Sequence, residues 1–264
     1  TDAMLDSATV TISDGLQTGD VLAYSVIGST IAAVFDPSTG VLSLSGSASV
    51  SDWQTALRAV TYSSSSEDPT GTQQASNRTM TFVISDGDVS SGAVSRTVTV
   101  VPVNDVPVLA DTESSSLVYT ENDAARAVSP GITVSDLDFI TDAMLDSATV
   151  TISDGMRDGD VLAFPGNVTG VTASAFNTST GTLTLMGSGV SVSGWQSALR
   201  SVTYSSSSED PTGTHAWSTR VVTFWISDGD LVSSSVTRTI VVGPVTDVPV
   251  LAAVEGTVLN YTEN

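Results

Sequence analysis

Apolar residues along this chain fall in short runs with a period of two, broken by Gly, Asp-Gly and Ser-rich stretches. The clearest run is residues 148–153, where Ala148, Val150 and Ile152 alternate with Thr149, Thr151 and Ser153 ahead of Asp154-Gly155. That is the pattern of a half-buried strand ending in a turn. Comparable runs at 161–164, 182–186, 221–226 and 236–242 predict further strands. One stretch departs from the period: Trp195, Leu199 and Val202, like Trp53, Leu57 and Val60, recur at helical spacing and predict a short helical turn capping the core. About seven strands with one such turn make an all-β, Greek-key sandwich.

Self-comparison multiplies that unit. Residues 1–15 (TDAMLDSATVTISDG) recur unchanged at 141–155, and residues 62–70 (YSSSSEDPT) recur at 204–212. Ser85-Asp86-Gly87-Asp88 returns as Ser227-Asp228-Gly229-Asp230, and Tyr119-Thr120-Glu121-Asn122 returns as Tyr261-Thr262-Glu263-Asn264. The offset drifts from 140 to 142 between Tyr24 and Trp53, where loops absorb insertions cheaply. The expected organisation is a first module at 1–110 without its opening strand segment, a complete module at 111–252, and the start of a third at 253–264. Such a chain reads as a window on a longer tandem array.

Charge adds a partner to this picture. There are 29 acidic residues against 8 basic ones, all of them Arg, for a formal net charge of −21. So acidic a surface disfavours nucleic acid and anionic lipid and attracts divalent cations, besides keeping a secreted protein soluble. The absence of Cys excludes disulfides, thiolate metal sites and cysteine nucleophiles, and the absence of Lys excludes a Lys-Asn isopeptide bond. No apolar run approaches the length of a membrane span, and Thr1-Asp2-Ala3-Met4 opens inside a patterned segment rather than a signal peptide. His215 is the single histidine and has Gln73 as its counterpart, so a catalytic triad has no base; Trp217 and Trp225, present only in the second copy, are expected to pack. Asn77-Arg78-Thr79 and Asn167-Val168-Thr169 match glycosylation acceptors, a triplet that arises easily by chance.

The informative carboxylates sit at the predicted module ends. Asn104-Asp105 lies in the stiff linker Pro102-Val103-Asn104-Asp105-Val106-Pro107, Glu121 in an opening strand, Asp136 and Asp138 in Ser-Asp-Leu-Asp, and Asp228 and Asp230 just past a strand. Asp-x-Asp on extended backbone sends both carboxylates to one side, and oxygens gathered so suit a hard cation such as calcium. Asp14-Gly15 and Asp154-Gly155 read instead as ordinary turn formers.

Taken in order, YTEN at 119, VSDLD at 134, WQSALRSVTY at 195, SSEDPTGT at 207, ISDGD at 226 and PVNDVPVL at 102 make the whole chain resemble the cadherin-like repeats of giant bacterial surface adhesins, often type I secreted and of the repeats-in-toxin kind. The resemblance implies cadherin-like or immunoglobulin-like sandwiches with Ca2+ between successive modules. It implies one ligand set of Asn104, Asp105, Asp136, Asp138 and Asp228 completed by Glu67 and Asp68, and a second of Glu121, Glu209, Asp210 and Asp247. The linker departs from the fuller cadherin Asp-x-Asn-Asp-Asn, and Thr246 stands where the first linker has Asn104.

The implied role is structural rather than enzymatic: an extracellular, calcium-stiffened spacer in cell adhesion or biofilm formation. Its partners would be neighbouring modules of the same chain. Two alternatives use the same sandwich, a filament, sheath or surface-layer subunit that assembles by sharing strands, and a module whose loops bind a glycan or protein.

Overall fold

The computed structural model describes residues 4–26, 28–71, 74–137, 145–214 and 216–248, together with Leu251 and Gly256. Two hydrophobic cores form, one from residues between Ala8 and Met80 and one from residues between Leu109 and Val242. Each is enclosed by its own set of strands, and the architecture is an all-β sandwich.

The first unit runs β1 (Met4–Asp14), β2 (Asp20–Ala23), β3 (Ala32–Asp36), β4 (Val41–Ser49), α1 (Val50–Arg58), β5 (Thr61–Ser64), β6 (Ser76–Ser85) and β7 (Val94–Val100). Its large sheet has the order β3-β4-β1-β6-β7, and β2 pairs with β5 beside it. The second unit begins with β8 (Val108–Ala110), β9 (Leu117–Thr120), β10 (Arg126–Ala127) and β11 (Thr133–Ser135). It continues through β12 (Leu145–Asp154), β13 (Asp160–Ala163), β14 (Val171–Ala173), β15 (Thr182–Val190), α2 (Val192–Ser201), β16 (Thr203–Ser206), β17 (Ser218–Ser227) and β18 (Val236–Gly243). Here the large sheet reads β14-β15-β12-β17-β18-β9, accompanied by β10-β16-β13 and the pair β11-β8.

The period-two pattern explains the pairing. Along β12, Ala148, Val150 and Ile152 are buried while Ser153 and Asp154 face out. Register then lines apolar residues up across the sheet, Leu183, Val150 and Phe224 in one row and Leu42, Val10 and Phe82 in the corresponding row of the first unit. The Asp-Gly turns fall where expected. Gly155 has φ +72°, and a Cβ there would come within 2.2 Å of the Thr219 carbonyl oxygen, so neither the turn nor the close approach admits another residue.

The element at Trp195 is a helix of ten residues rather than a single turn. Ser191 caps it by accepting from the Gly194 amide, as Ser49 caps α1 by accepting from Asp52. Val202 is not on its face: it is the extended C-cap residue, where the chain turns into β16. Trp53 and Trp195 are both fully buried, as their spacing predicts.

The two units differ at one edge. In the second, β9 lies parallel to β18, matching Ile240 with Leu117 and Val242 with Tyr119, and β18 is largely buried. In the first, β7 is the last strand of its sheet and is mostly exposed.

Ahead of β9, Glu113 pins the loop that leads into it. Its carboxylate accepts from Ser129 Oγ at 2.7 Å and from the Gly131 amide at 2.8 Å, and the Arg238 guanidinium lies nearby at 3.7 Å. Burial works to raise the Glu113 pKa, but the hydrogen bonds and Arg238 outweigh it and the net shift is downward. A depressed folded-state pKa adds stability that is present above the unfolded value of about 4.3 and is lost as pH falls through the folded value. Urea midpoints measured downward from about pH 5 should therefore drop, and Glu113→Gln should flatten that drop while lowering stability at neutral pH.

Candidate functional site

Three carboxylates converge at the end of β18. Glu121 directly follows β9, and the parallel pairing carries it to the segment leaving β18, where its Oε2 accepts from the Val245 amide at 2.8 Å. Glu209 arrives on the loop after β16 and Asp247 on the segment after β18. One oxygen from each lies within 4.8 Å of the others, and among the described residues no other group of three acidic, His or Cys side chains closes as tightly. A hollow of about 170 Å³ opens between them, with Asp210 and residues 244–246 completing its wall.

Glu121 decides the chemistry. It is only 4% exposed, and its second oxygen, Oε1, is buried with no hydrogen-bond partner. A buried carboxylate oxygen without a donor is costly, and the exposed carboxylates of Glu209 and Asp247 beside it add repulsion, so a positive charge among them would stabilise the arrangement. Among the described residues no basic side chain lines the hollow. An all-oxygen donor set of this kind fits a hard divalent cation, calcium before a transition metal.

Asp210 and its counterpart Asp68 each give one oxygen to a local turn. Oδ1 of Asp210 accepts from the Gly213 amide at 2.7 Å, and Oδ1 of Asp68 accepts from Gly71 at 2.8 Å and from Thr70 at 3.3 Å, each closing its own Asp-Pro-Thr-Gly turn. Glu67, on the first of these loops, is exposed.

A second set gathers where the chain enters the second unit. Asn104 Nδ2 donates to Asp228 Oδ2 at 3.0 Å, while Asp228 Oδ1 accepts from the amides of Asp230 and Leu231 at 2.8 and 2.7 Å. Burial pushes the Asp228 pKa up, but the Leu231 and Asn104 hydrogen bonds prevail and hold it below the usual carboxylate value. Asp105 is half-buried in the linker and Asp136 half-buried after β11. Asp138 lies outside the described residues, as do His215 and residues 261–264.

The acidic loops are fixed by a device that spacing alone does not reveal. Arg220 and Asp160 form a fully buried ion pair, Nε to Oδ2 at 2.5 Å; a second guanidinium nitrogen donates to the Pro211 carbonyl at 2.7 Å, and Tyr204 donates to Asp160 Oδ1 at 2.7 Å. The first unit repeats it with Arg78, Asp20, the Pro69 carbonyl and Tyr62. Burial, then the Asp20 hydrogen bond, pushes the Tyr62 hydroxyl up to about 12, and the same causes raise Tyr204 further, so both phenols remain donors. Pro69 follows Asp68 and Pro211 follows Asp210, so each arginine anchors the loop that presents Glu67 or Glu209. The signal was present in the sequence: Arg78, Met80 and Phe82 share one strand face, which places a charge among core positions.

Trp217 corrects an expectation. It is 61% exposed rather than packed inside, its ring lying over Gly243, where a Cβ would meet it at 2.5 Å. Trp225 is half-buried.

No protein-family description matches the chain, and no curated protein does. Among solved structures, the protocadherin gamma B4 extracellular domain is similar at 14% identity over 85% of this chain, with a TM-score of 0.29. Protocadherin gamma B2 extracellular cadherin domains 3–6 are similar at 10% identity over 88%, TM-score 0.32. An endo-fucoidan hydrolase of glycoside hydrolase family 107 is similar at 17% identity over 88%, TM-score 0.19. The matches span 27%, 43% and 25% of those chains respectively. Among the described residues no helix is long and apolar enough to cross a membrane.

Proposed function

We propose that this chain is a calcium-stiffened spacer of an extracellular surface protein, built of cadherin-like sandwiches and acting in adhesion or biofilm formation of the bacterial-adhesin type. The modules in this reading are residues 1–110 and 111–252, except that β8 (Val108–Ala110) pairs with β11 and so moves the boundary to just before Val108; a third begins at 253, and their neighbours in the array are their principal partners. The observation that carries it is the Glu121 carboxylate, buried with one oxygen unpartnered and facing Glu209 and Asp247.

Calcium takes six to eight oxygens. Glu121, Glu209 and Asp247 would supply part of that shell, and the following module and water the rest. Asn104, Asp105, Asp136, Asp138 and Asp228 would act likewise at the preceding junction, with Glu67 and Asp68 contributed from the module before. Bound there, the ion neutralises carboxylates that otherwise repel, so a proline-flanked hinge becomes a rigid joint.

Thermal melting against calcium and chelator tests this. Stability should rise by about 2.7 kcal/mol when free calcium reaches about a hundred times its Kd, with magnesium less effective. Glu121→Gln should lose most of that rise. In chelator the same variant should melt no lower than the parent, because the uncompensated buried charge is gone. A melting temperature indifferent to calcium would end the reading.

A further inference from the structure

The two copies of the repeat differ at one corner of the sandwich, and the difference is paired. Trp217 in the second unit stands where the first has Ala75, and Gly243 stands where the first has Val101. Strand pairing sets Ser218 against Val242, which brings the residues beyond them, Trp217 and Gly243, together. A Cβ built on Gly243 would meet three adjoining carbons of the Trp217 six-membered ring at 2.5, 2.6 and 2.9 Å. Distances so nearly equal place the ring face-on to the Gly243 backbone, since an edge-on ring would spread them further. Any side chain at 243 would unseat it. One face of the indole is thus seated on the strand and the other is turned to solvent, with the residue 61% exposed. At the matching corner of the first unit, where the chain runs on into the second, Ala75, Val101 and Val103 are likewise exposed. The corner therefore faces solvent even beside a following unit.

The seated indole stands next to the acidic hollow. The Gly243 carbonyl accepts from the Glu121 amide at 2.9 Å, and the next two residues, Pro244 and Val245, form part of the hollow's wall. Inside it the Glu121 carboxylate is buried with Oε1 unpartnered, beside Glu209 and Asp247. At about 170 Å³ the hollow is well below the roughly 300 Å³ at which sites for small organic ligands begin. It has room for a cation and one or two ligand hydroxyls, and the rest of any ligand stays outside, where the free indole face lies.

These two features select a ligand class. The ligand needs a pair of oxygens to enter a calcium shell that three carboxylates leave incomplete, and a flat apolar face to lie on an indole. It also needs to be free of negative charge, because the chain's formal charge is −21. A neutral saccharide meets all three needs, with vicinal hydroxyls, a ring face of C–H groups and no charge. We propose that this corner of the second unit binds neutral saccharides through calcium. Two vicinal hydroxyls take positions in the Glu121, Glu209 and Asp247 site that water otherwise holds, and a sugar ring stacks on Trp217. The inference rests on the calcium reading for its cation and adds to it a ligand and a residue, Trp217, that the joint itself does not use. The first unit, with Ala75 at that position, has no such platform, so the adhesive contact belongs to one module and not the other.

Affinity electrophoresis of the full chain through gels containing galactomannan or dextran, in calcium and in chelator, tests this alongside thermal melting. Retardation is expected in calcium and not in chelator. Trp217→Ala should weaken it about tenfold, and so should Gly243→Val, which keeps the tryptophan and unseats it. Both variants should retain the calcium-dependent rise in melting temperature, because neither changes a carboxylate. Retardation that persists in chelator or in Trp217→Ala overturns the proposal. Calcium-raised melting without retardation by either polysaccharide overturns it too, and leaves the calcium joint standing. Melting indifferent to calcium, with no retardation, removes both.

Discussion

Arg220→Ala should cost the second unit about 3–5 kcal/mol, read as a fall in the urea midpoint. The guanidinium and its partner Asp160 are both fully buried, and removing one member leaves the other as an uncompensated charge in the core. The loss also strips donors from the Pro211 carbonyl and Ser218 Oγ. Replacing the pair together, Arg220→Met with Asp160→Val, should recover much of the stability, since apolar groups of similar volume often substitute for a buried pair at little cost. On the proposed calcium reading, calcium affinity should not recover with it. The Pro211 carbonyl would still lack the guanidinium that holds the loop presenting Glu209, so the double variant separates the pair's part in folding from its part in positioning a ligand. A single Arg220→Ala variant within about 1 kcal/mol of the parent would show that the pair does not carry the fold.

That device was the part of the protein hardest to read from sequence, for a physical reason. Strand periodicity reports which side of a sheet a residue faces, and it correctly separated Val150 and Ile152 from Thr151 and Ser153. It carries no information about charge neutralisation. Arg78 and Arg220 sit on core-facing positions, and only the fold brings Asp20 and Asp160 to them from strands about sixty residues away. The same holds for the carboxylate trio. Glu121 and Val245 are 124 residues apart and meet because β9 runs parallel to β18, a non-local pairing that no local pattern encodes. Repeats helped where periodicity could not, because a carboxylate recurring at module ends stands out even when its partners do not. Asp68 and Asp210 recur as faithfully as Glu67 and Glu209, and each commits one oxygen to its own turn, a local role that the repeat alone does not separate from a part in the joint. Trp217 has no counterpart in the first copy, so neither signal could tell that it would lie on the surface.

The other large effect belongs to the helix. Trp195→Ala removes a fully buried indole and should cost about 3–5 kcal/mol through lost burial and the cavity left behind. Part of the cost is polar. The register of β12 on β15 slips between Leu145 and Ser147, and the Trp195 indole N–H donates to the Leu145 carbonyl at 2.8 Å beside that irregularity. The first unit has the same slip between Leu5 and Ser7 and the same bond, from Trp53 to the Leu5 carbonyl. Alanine leaves a buried acceptor unsatisfied as well as a void, so Trp195→Phe, which refills most of the volume and lacks the donor, should fall between the two. The consequence extends past stability. α2 holds β11 in place: Gln196 accepts from the Val134 amide at 3.2 Å, and Arg200 donates to the Ile132 carbonyl at 2.8 Å. Asp136 follows β11 directly. A helix loosened at Trp195 should therefore speed hydrogen exchange at the Val134 amide and, on the proposed calcium reading, weaken binding around Asp136 and Asp228, while the Glu121 end, carried by β9 and β18, keeps its affinity. Equal weakening at both ends would mean that the helix supports the whole sandwich and not one joint.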